Sequence, residues 1–501
     1  YGFHYVDMVM STMRNREDSK SIVSVPGQIT SHWRVGLPYH QYLTSEQRLA
    51  FWSEYYAFLF SNGPHTVFGD QPVVPATTRE AQIGLASVLQ KIPDAHKSQL
   101  FAGWVAERSD ETVSRELGRL ARDSVVAPSI PAGLRKAADE LPQPRIVIDG
   151  VFFQFYQTGI ARVWRSLLEQ WKADGFARHL IVLDRAGTMP KIEGIRYRTI
   201  APYDYDNVEA DRRMLQRVCE QEGAGAFIST YYTTALATPS VFMAHDMIPE
   251  LFGWDLRHPM WREKHYAIRH AAAFVCVSES TRRDLLRFFP ELPADRVKVT
   301  PLAAAPVFYP RPKGEVDGLR AGAGVSRPYF LTVGARGGYK NTILTFRALA
   351  ALRELDQFDI VCAGHMTLEP EFQQMIPNNA VKAFDLSDDQ LAAAYSGAVT
   401  LLHPSTYEGF GLPVLEALAC GCPVITTKNG SLAEVAGEAA IFVKDDDVAG
   451  MVGALREVQK EDVRQRLVQS GLAQARRFSW ARTADGIRQV LLGAATTPVS
   501  K

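Results

Sequence analysis

The chain has no excess of charge of either sign: Lys plus Arg and Asp plus Glu both number 55 in 501 residues, and the formal net charge is zero. No overall field draws it to nucleic acid or to an anionic surface, so any phosphate recognition must be local. It also lacks an apolar run near the roughly 18 residues that a membrane-spanning helix needs, and a basic-then-apolar leader at its start. Cysteine is scarce. The five are Cys219, Cys276, Cys362, Cys420 and Cys422, an odd number in mostly apolar surroundings, which predicts a reducing cytoplasm rather than a disulfide framework. Cys420 and Cys422 flank Gly421, but no second Cys or His pair follows at ligand spacing, so packing is expected of them and no metal.

What is present is globular: 46% hydrophobic and 22% charged residues, long enough for two or three domains with real cores. The first residue is Tyr1 rather than Met, which predicts a piece of something longer. Residues 1–143 crowd aromatics (Trp33, Trp52, Tyr55, Tyr56, Phe58, Phe60) ahead of helical patterning over 80–141, with no strand–helix alternation. A mainly helical extension is expected there, closed by proline clusters at 128–131 and 142–144.

From 145 onward short apolar runs alternate with helical stretches, the pattern of βαβ units around a parallel sheet. Strands are predicted at 145–148, 179–183, 226–229, 240–244 and 273–277. Between the first two, Ile160, Val163, Trp164, Leu167, Leu168 and Trp171 fall on one helical face. Pro301, Pro306, Pro310 and Pro312 interrupt the pattern, which resumes with strands at 329–333, 359–363, 399–402 and 424–426. The expected fold class is α/β: two doubly wound, Rossmann-like domains, 144–310 and 311–478, facing a ligand cleft at the carboxyl ends of their strands. A last helix within 479–501 would cross back to the first domain.

The most informative stretch is 404–419, PSTYEGFGLPVLEALA. It follows a predicted strand and opens a helix. A glycine-flanked loop at a helix N-terminus offers unpaired N–H groups and the positive end of the helix dipole, which suits a diphosphate. Pro413 falls in the first helical turn, where its missing N–H is harmless. Glu408 in the loop and Glu416 in the helix, with seven residues between them, place carboxylates on both sides of such a phosphate site.

Here the sequence resembles the retaining glycosyltransferases of family 4, which carry Glu-x7-Glu in this context and have the two-lobed fold called GT-B. The likeness covers roughly 145–493. It includes Val333-Gly334 followed by Lys340-Asn341, the stretch 387–398, Gly421-Cys422-Pro423-Val424, Asp149, Thr158-Gly159-Ile160, His245-Asp246 and Val277-Ser278-Glu279-Ser280. The resemblance implies that Glu408 binds donor sugar hydroxyls, Glu416 the ribose, and Lys340 the diphosphate, with Asn341 beside it. The backbone of Phe410, Gly411 and Leu412 would line sugar and phosphates, Gly159 would allow close approach to them, His245 would face the transferred sugar, and Asp246 would lie on the acceptor side. Many family members have Arg immediately before the lysine; this chain has Tyr339, and Arg336 is expected to substitute.

The resemblance further implies a nucleotide diphosphate sugar donor, a GDP-sugar such as GDP-mannose by preference, and no metal or other cofactor. It implies a glycan or lipid-linked saccharide acceptor in surface polysaccharide synthesis, no nucleic acid, and work in the cytoplasm with peripheral contact to the inner face of its membrane. Gly2-Phe3-His4-Tyr5-Val6-Asp7-Met8 with His32 resembles the tail of a family 2 transferase of the GT-A architecture, so 1–143 is either the remnant of an upstream transferase domain or a plain helical extension. Two other functions stay open for the whole: a nucleotide-sugar epimerase of the same fold, and a non-catalytic module that binds glycan or a partner through a degenerate cleft, for which Tyr339 speaks.

Overall fold

The computed structural model describes residues 144–496 except 157–158, 335–337, 365–369 and 377–379. The expectations for 1–143, including the resemblance to a GT-A tail, lie outside the described residues, as does Arg336.

The first sheet is wholly parallel and contains β1 (Arg145–Asp149), β2 (Leu180–Arg185), β3 (Arg196–Ile200), β4 (Ala224–Ser229), β5 (Ser240–Ala244), β6 (Ala273–Cys276) and β7 (Val297–Val299), in the order β3-β2-β1-β4-β5-β6-β7. The second repeats the scheme with β8 (Tyr329–Val333), β9 (Asp359–Ala363), β10 (Val381–Phe384), β11 (Thr400–His403), β12 (Val424–Thr426) and β13 (Ile441–Phe442), ordered β10-β9-β8-β11-β12-β13. Both are doubly wound α/β sheets of the Rossmann kind, as the sequence predicts. In each, strand order reverses beside the first strand, between β1 and β4 and between β8 and β11, and that switch point is where such sheets open a crevice.

Burial explains which strands the sequence reveals. β2, β5 and β9 are buried at every residue and read as apolar runs. Four strands escaped prediction: β3, β7, β10 and β13, and these are the outer strands of the two sheets. β3, with sequence RYRTI, has no fully buried residue, so its pattern is that of a loop. β1 and β2 also run further than predicted, to Asp149 and to Asp184 and Arg185. Those charges are tolerated inside because Arg185 forks onto Asp149 at 2.9 and 2.6 Å and onto Asp211 at 2.6 and 3.0 Å, while Asp184 accepts from the Met189 N–H at 3.0 Å and from Lys191.

Seven helices matter for the site: α1 (Gly159–Ala173), α2 (Pro259–His270), α3 (Glu279–Phe288), α4 (Thr342–Ala351), α5 (Asp388–Gly397), α6 (Leu412–Ala419) and α7 (Trp480–Thr496). Helix α1 buries Val163, Trp164, Leu167, Leu168 and Trp171 at three- and four-residue spacing. Helix α5 starts on a capping box, Ser387 accepting from the Gln390 N–H while the Gln390 side chain accepts from Ser387. Helix α7 lies on the first lobe: Trp171 donates to the Ala484 carbonyl at 3.1 Å and Thr483 to that of Pro301 at 2.7 Å. The proline-rich connection is packed, not loose, with Leu302, Ala303 and Phe308 buried. Among the described residues no helix is long and apolar enough to cross a membrane.

Candidate functional site

The loop between β11 and α6 carries Glu408, and the turn after β8 carries Lys340, so both stand at the switch point of the second sheet. Three donors converge on one oxygen of Glu408: Lys340 Nζ at 2.7 Å, His403 Nε2 at 2.9 Å and Ser405 Oγ at 2.8 Å. Burial alone would raise the Glu408 pKa, but the Lys340 charge and the His403 contact outweigh it and hold the carboxyl well below the usual range. Glu408 is thus an anion at any physiological pH. Its carbonyl accepts from both the N–H and the hydroxyl of Ser431, which fixes the loop from behind.

Helix α6 begins as the motif predicts. Gly411 is its N-cap at φ +89°, a left-handed conformation where a Cβ would also meet Leu432 at 2.9 Å. Leu412 and Pro413 form the first turn, and Phe410 is buried against Phe478. Asn341 caps α4, also left-handed, and its amide donates to the carbonyls of Pro404 at 3.2 Å and Asp445 at 2.8 Å. It holds two loops of the second lobe together beside Lys340. Beneath Lys340 a small cavity is lined by Gly334, Thr342, Thr345 and His403, and the buried Thr345 hydroxyl has no partner there.

The first lobe meets this loop closely. Gly409 lies so near the turn after β5 that a Cβ on it would fall 1.8 Å from the His245 carbonyl oxygen and 2.9 Å from the Asp246 Cβ. Ser278 and Thr281 donate to the Gly409 carbonyl at 2.6 and 3.0 Å. Tyr407 donates to Asp284 at 2.7 Å, and Glu434 caps the N-terminus of α3 through the N–H groups of Glu279 and Ser280. Glu408, Lys340, His245 and Asp246 therefore come together across the cleft. Burial, with help from the nearby Lys264 charge, depresses the His245 pKa to about 4, so the ring is neutral at pH 7. Lys264 is buried, bonded to Glu250 at 2.8 Å and to the Asp246 carbonyl at 3.2 Å, and so pins the turn that bears His245.

Glu416 is apart from this group. Its carboxylate is buried in the second lobe, yet one oxygen takes the Arg162 guanidinium of α1 at 2.5 Å and the other the Tyr395 hydroxyl at 3.2 Å. Arg162 also holds Asp388 at 2.6 Å, so one cation of the first lobe clasps two carboxylates of the second. Burial pushes the Glu416 carboxyl up, against the pull of Arg162 and Tyr395. Gly159, one turn before Arg162, has room for a Cβ, which would touch Leu412 at an ordinary 3.7 Å.

Arg162, His403, Ser405, Tyr395 and Lys264 were not singled out from the sequence. His403 could have been, since it directly follows the strand predicted at 399–402, five residues before Glu408. Arg162 could not, because its partner is 254 residues away.

Two family profiles match the chain: Glycosyltransferase Family 4 over 157–304 and Glycosyl transferases group 1 over 321–474. Among curated proteins it is similar to O-antigen chain mannosyltransferase B of Escherichia coli, 30% identical over 242 residues, 46% of this chain and 63% of that protein. It is also similar to the serotype-specific mannosyltransferase WbdA of Escherichia coli, 27% identical over 50% of this chain and 34% of that protein. D-inositol 3-phosphate glycosyltransferase of Acidothermus cellulolyticus is 32% identical over 25% of this chain and 30% of its own length. The chain thus spans less than two thirds of each of these relatives. Among solved structures, Anabaena Alr3699/HepE in complex with UDP and glucose superposes with a TM-score of 0.56 at 16% identity, covering 70% of this chain and 99% of that one. WaaG, a glycosyltransferase involved in lipopolysaccharide biosynthesis, gives 0.56 at 16% identity over 69% and 98%. These likenesses establish the GT-B fold.

Proposed function

We propose that this chain, whose residues 157–474 form a glycosyltransferase segment of the group 1 and family 4 type, moves a hexose from a nucleoside diphosphate to a growing surface glycan with retention of anomeric configuration. Mannose is the sugar the curated relatives favour, since two of them are named mannosyltransferases, and a GDP-sugar is the matching donor. The work would take place in the cytoplasm, beside the membrane that carries the acceptor.

The observation that carries the reading is Glu408: a buried, ionised carboxylate with Lys340 on one oxygen, at the switch point and across the cleft from neutral His245. In this reading the bond between the sugar C1 and the diphosphate oxygen breaks while the acceptor hydroxyl oxygen bonds to C1 on the same face, and the departing phosphate takes the hydroxyl proton. Lys340 and the N–H groups at the start of α6 stabilise the charge growing on the diphosphate. Glu408 orients the sugar through its hydroxyls, and His245, neutral and fixed by the Lys264-pinned turn, positions it from the other lobe. Glu416 takes the ribose once Arg162 gives way or shares it. No protein nucleophile and no metal is needed.

Arg162 seated on Glu416 is also what a non-catalytic cleft would look like, and one experiment separates the two. Thermal shifts are measured on the purified chain with GDP, UDP, ADP and their sugar conjugates, without added metal. Ligand at about a hundred times its dissociation constant stabilises by roughly 2.7 kcal/mol. A shift with one base, lost in Glu416→Ala, supports the transferase reading; no shift with any nucleotide defeats it.

A further inference from the structure

Aromatic rings gather at the strand ends of the first lobe. Among the described residues five large apolar side chains are exposed, and three of these, Tyr156 (42%), Phe252 (43%) and Trp254 (42%), follow the carboxyl ends of β1 and β5. They are joined ring to ring. Tyr156 touches Tyr231 with centroids 6.4 Å apart, Tyr231 stacks on Tyr232 at 3.7 Å, Tyr232 meets Trp261 at 6.2 Å, and Trp261 meets Trp254 at 5.4 Å. Two residues before Trp254, Phe252 reaches across the cleft to Tyr339 at 5.9 Å, and Tyr339 adjoins Lys340 of the donor-side cluster.

We propose that these rings form a stacking platform for a neutral oligosaccharide several sugar units long, the acceptor glycan, whose reacting end lies at Phe252 and Tyr339 and whose earlier units run over Trp254 and Trp261 toward Tyr156. The identification of the ligand as acceptor rests on the transferase reading above; the binding itself does not. A pyranose ring presents a flat face of C–H groups and an edge of hydroxyls, and Tyr and Trp offer a flat apolar face with a polar tip to match. The strip begins inside the cleft, where Phe252 already faces the second lobe, and a bilayer cannot follow it there. Tyr231 and Tyr232, stacked on one another with the Tyr231 hydroxyl on the Met260 sulfur at 3.5 Å, brace the exposed rings from beneath.

The test is binding without donor. Tryptophan fluorescence of the whole chain is titrated with α-linked mannotetraose, maltotetraose, xylotetraose and, for contrast, methyl α-mannoside. A tetrasaccharide is expected to bind about tenfold or more tighter than the monosaccharide, with Trp254→Ala and Tyr156→Ala each weakening it about fivefold and Trp254→Phe largely restoring it. The nucleotide thermal shifts should be unchanged in all three variants, which also shows that they fold. Equal affinity for mono- and tetrasaccharide, no binding of any tetrasaccharide, or indifference to Trp254→Ala would overturn the platform. So would binding to phosphatidylglycerol vesicles that Trp254→Ala abolishes while the saccharides do nothing. Tetrasaccharide binding without any nucleotide shift would leave the platform standing and remove the transferase; nucleotide shifts without tetrasaccharide binding would do the reverse.

Discussion

The two lobes share one strand order and yet present opposite chemistry at the same topological place. Where the second sheet reverses, the end of β11 and the loops after β8 and β11 bring His403, Lys340 and Ser405 onto one oxygen of Glu408. At the corresponding switch point of the first sheet stand Tyr156, Tyr231 and Tyr232, while buried Asp149 and Arg185 are spent on each other and on Asp211. A parallel sheet supplies a crevice and helix N-termini whatever its sequence; the loop side chains decide whether it receives phosphate or the faces of sugars. The contrast continues within one motif, since Glu408 is held down by a lysine of its own lobe whereas Glu416 is pushed up by burial and clasped by an arginine of the other.

The largest expected effect is on the charged lobe. Glu408→Gln keeps the shape but removes the anion, and turnover should fall by about 10²–10³ while nucleoside diphosphate affinity, read by calorimetry, changes little. If both lobes contributed equally to chemistry, His245→Gln would cost as much; it is expected to cost far less. Next comes the contact between lobes. Gly409→Ala drives a Cβ into the His245 carbonyl, and a displacement of about 1 Å should lower kcat/KM roughly a hundredfold with the unfolding midpoint nearly unchanged.

Arg162→Ala tests the clasp. Breaking a buried pair costs about 3–5 kcal/mol, and because the Arg162 side chain is 27% exposed a loss nearer ~2 kcal/mol is expected in denaturant titrations. Adding Glu416→Gln should recover much of it, since the uncompensated charge is then gone; an unchanged loss in the double variant would mean that Arg162 acts through packing alone.

The smallest effects are in the pH dependence of stability, where the two glutamates should differ in sign. Glu408, depressed in the folded state, contributes stability that is full above the ordinary carboxylate value and lost as pH falls. Glu416, raised, contributes stability that is full below that value and lost as pH rises. The difference in unfolding free energy between parent and Glu408→Gln should therefore shrink on acidification and that for Glu416→Gln should grow. His245, with its pKa near 4 against 6.5 when free, adds a further loss between those values on the way down, and His245→Gln should flatten it.

Much of this protein can be read locally. The central strands are apolar runs because both their faces are covered, and the 404–419 string announces a loop, a helix start and two carboxylates through glycine, proline and spacing alone. The outer strands β3, β7, β10 and β13 stay hidden because a half-exposed strand needs no apolar run, and Arg185 hides the end of β2 because an arginine inside a strand makes sense only once Asp149 and Asp211 surround it. That the Asn341 amide also ties the loops of Pro404 and Asp445 together could not be read locally, since both partners lie more than sixty residues away.

By itself, then, the sequence determined the repeated α/β architecture and the glycine-capped start of α6 between Glu408 and Glu416, since both follow from periodicity and backbone chemistry within a few residues. Which lone pairs remain open was decided only by the tertiary structure. Arg162 finds Glu416, Gly409 finds His245 and Phe252 finds Tyr339 across separations of 87 to 254 residues, and no local pattern encodes a partner at that distance. Those contacts exist because the loops at the strand ends of the two sheets meet in one packed unit, where the field at each group is the sum of what both lobes place there.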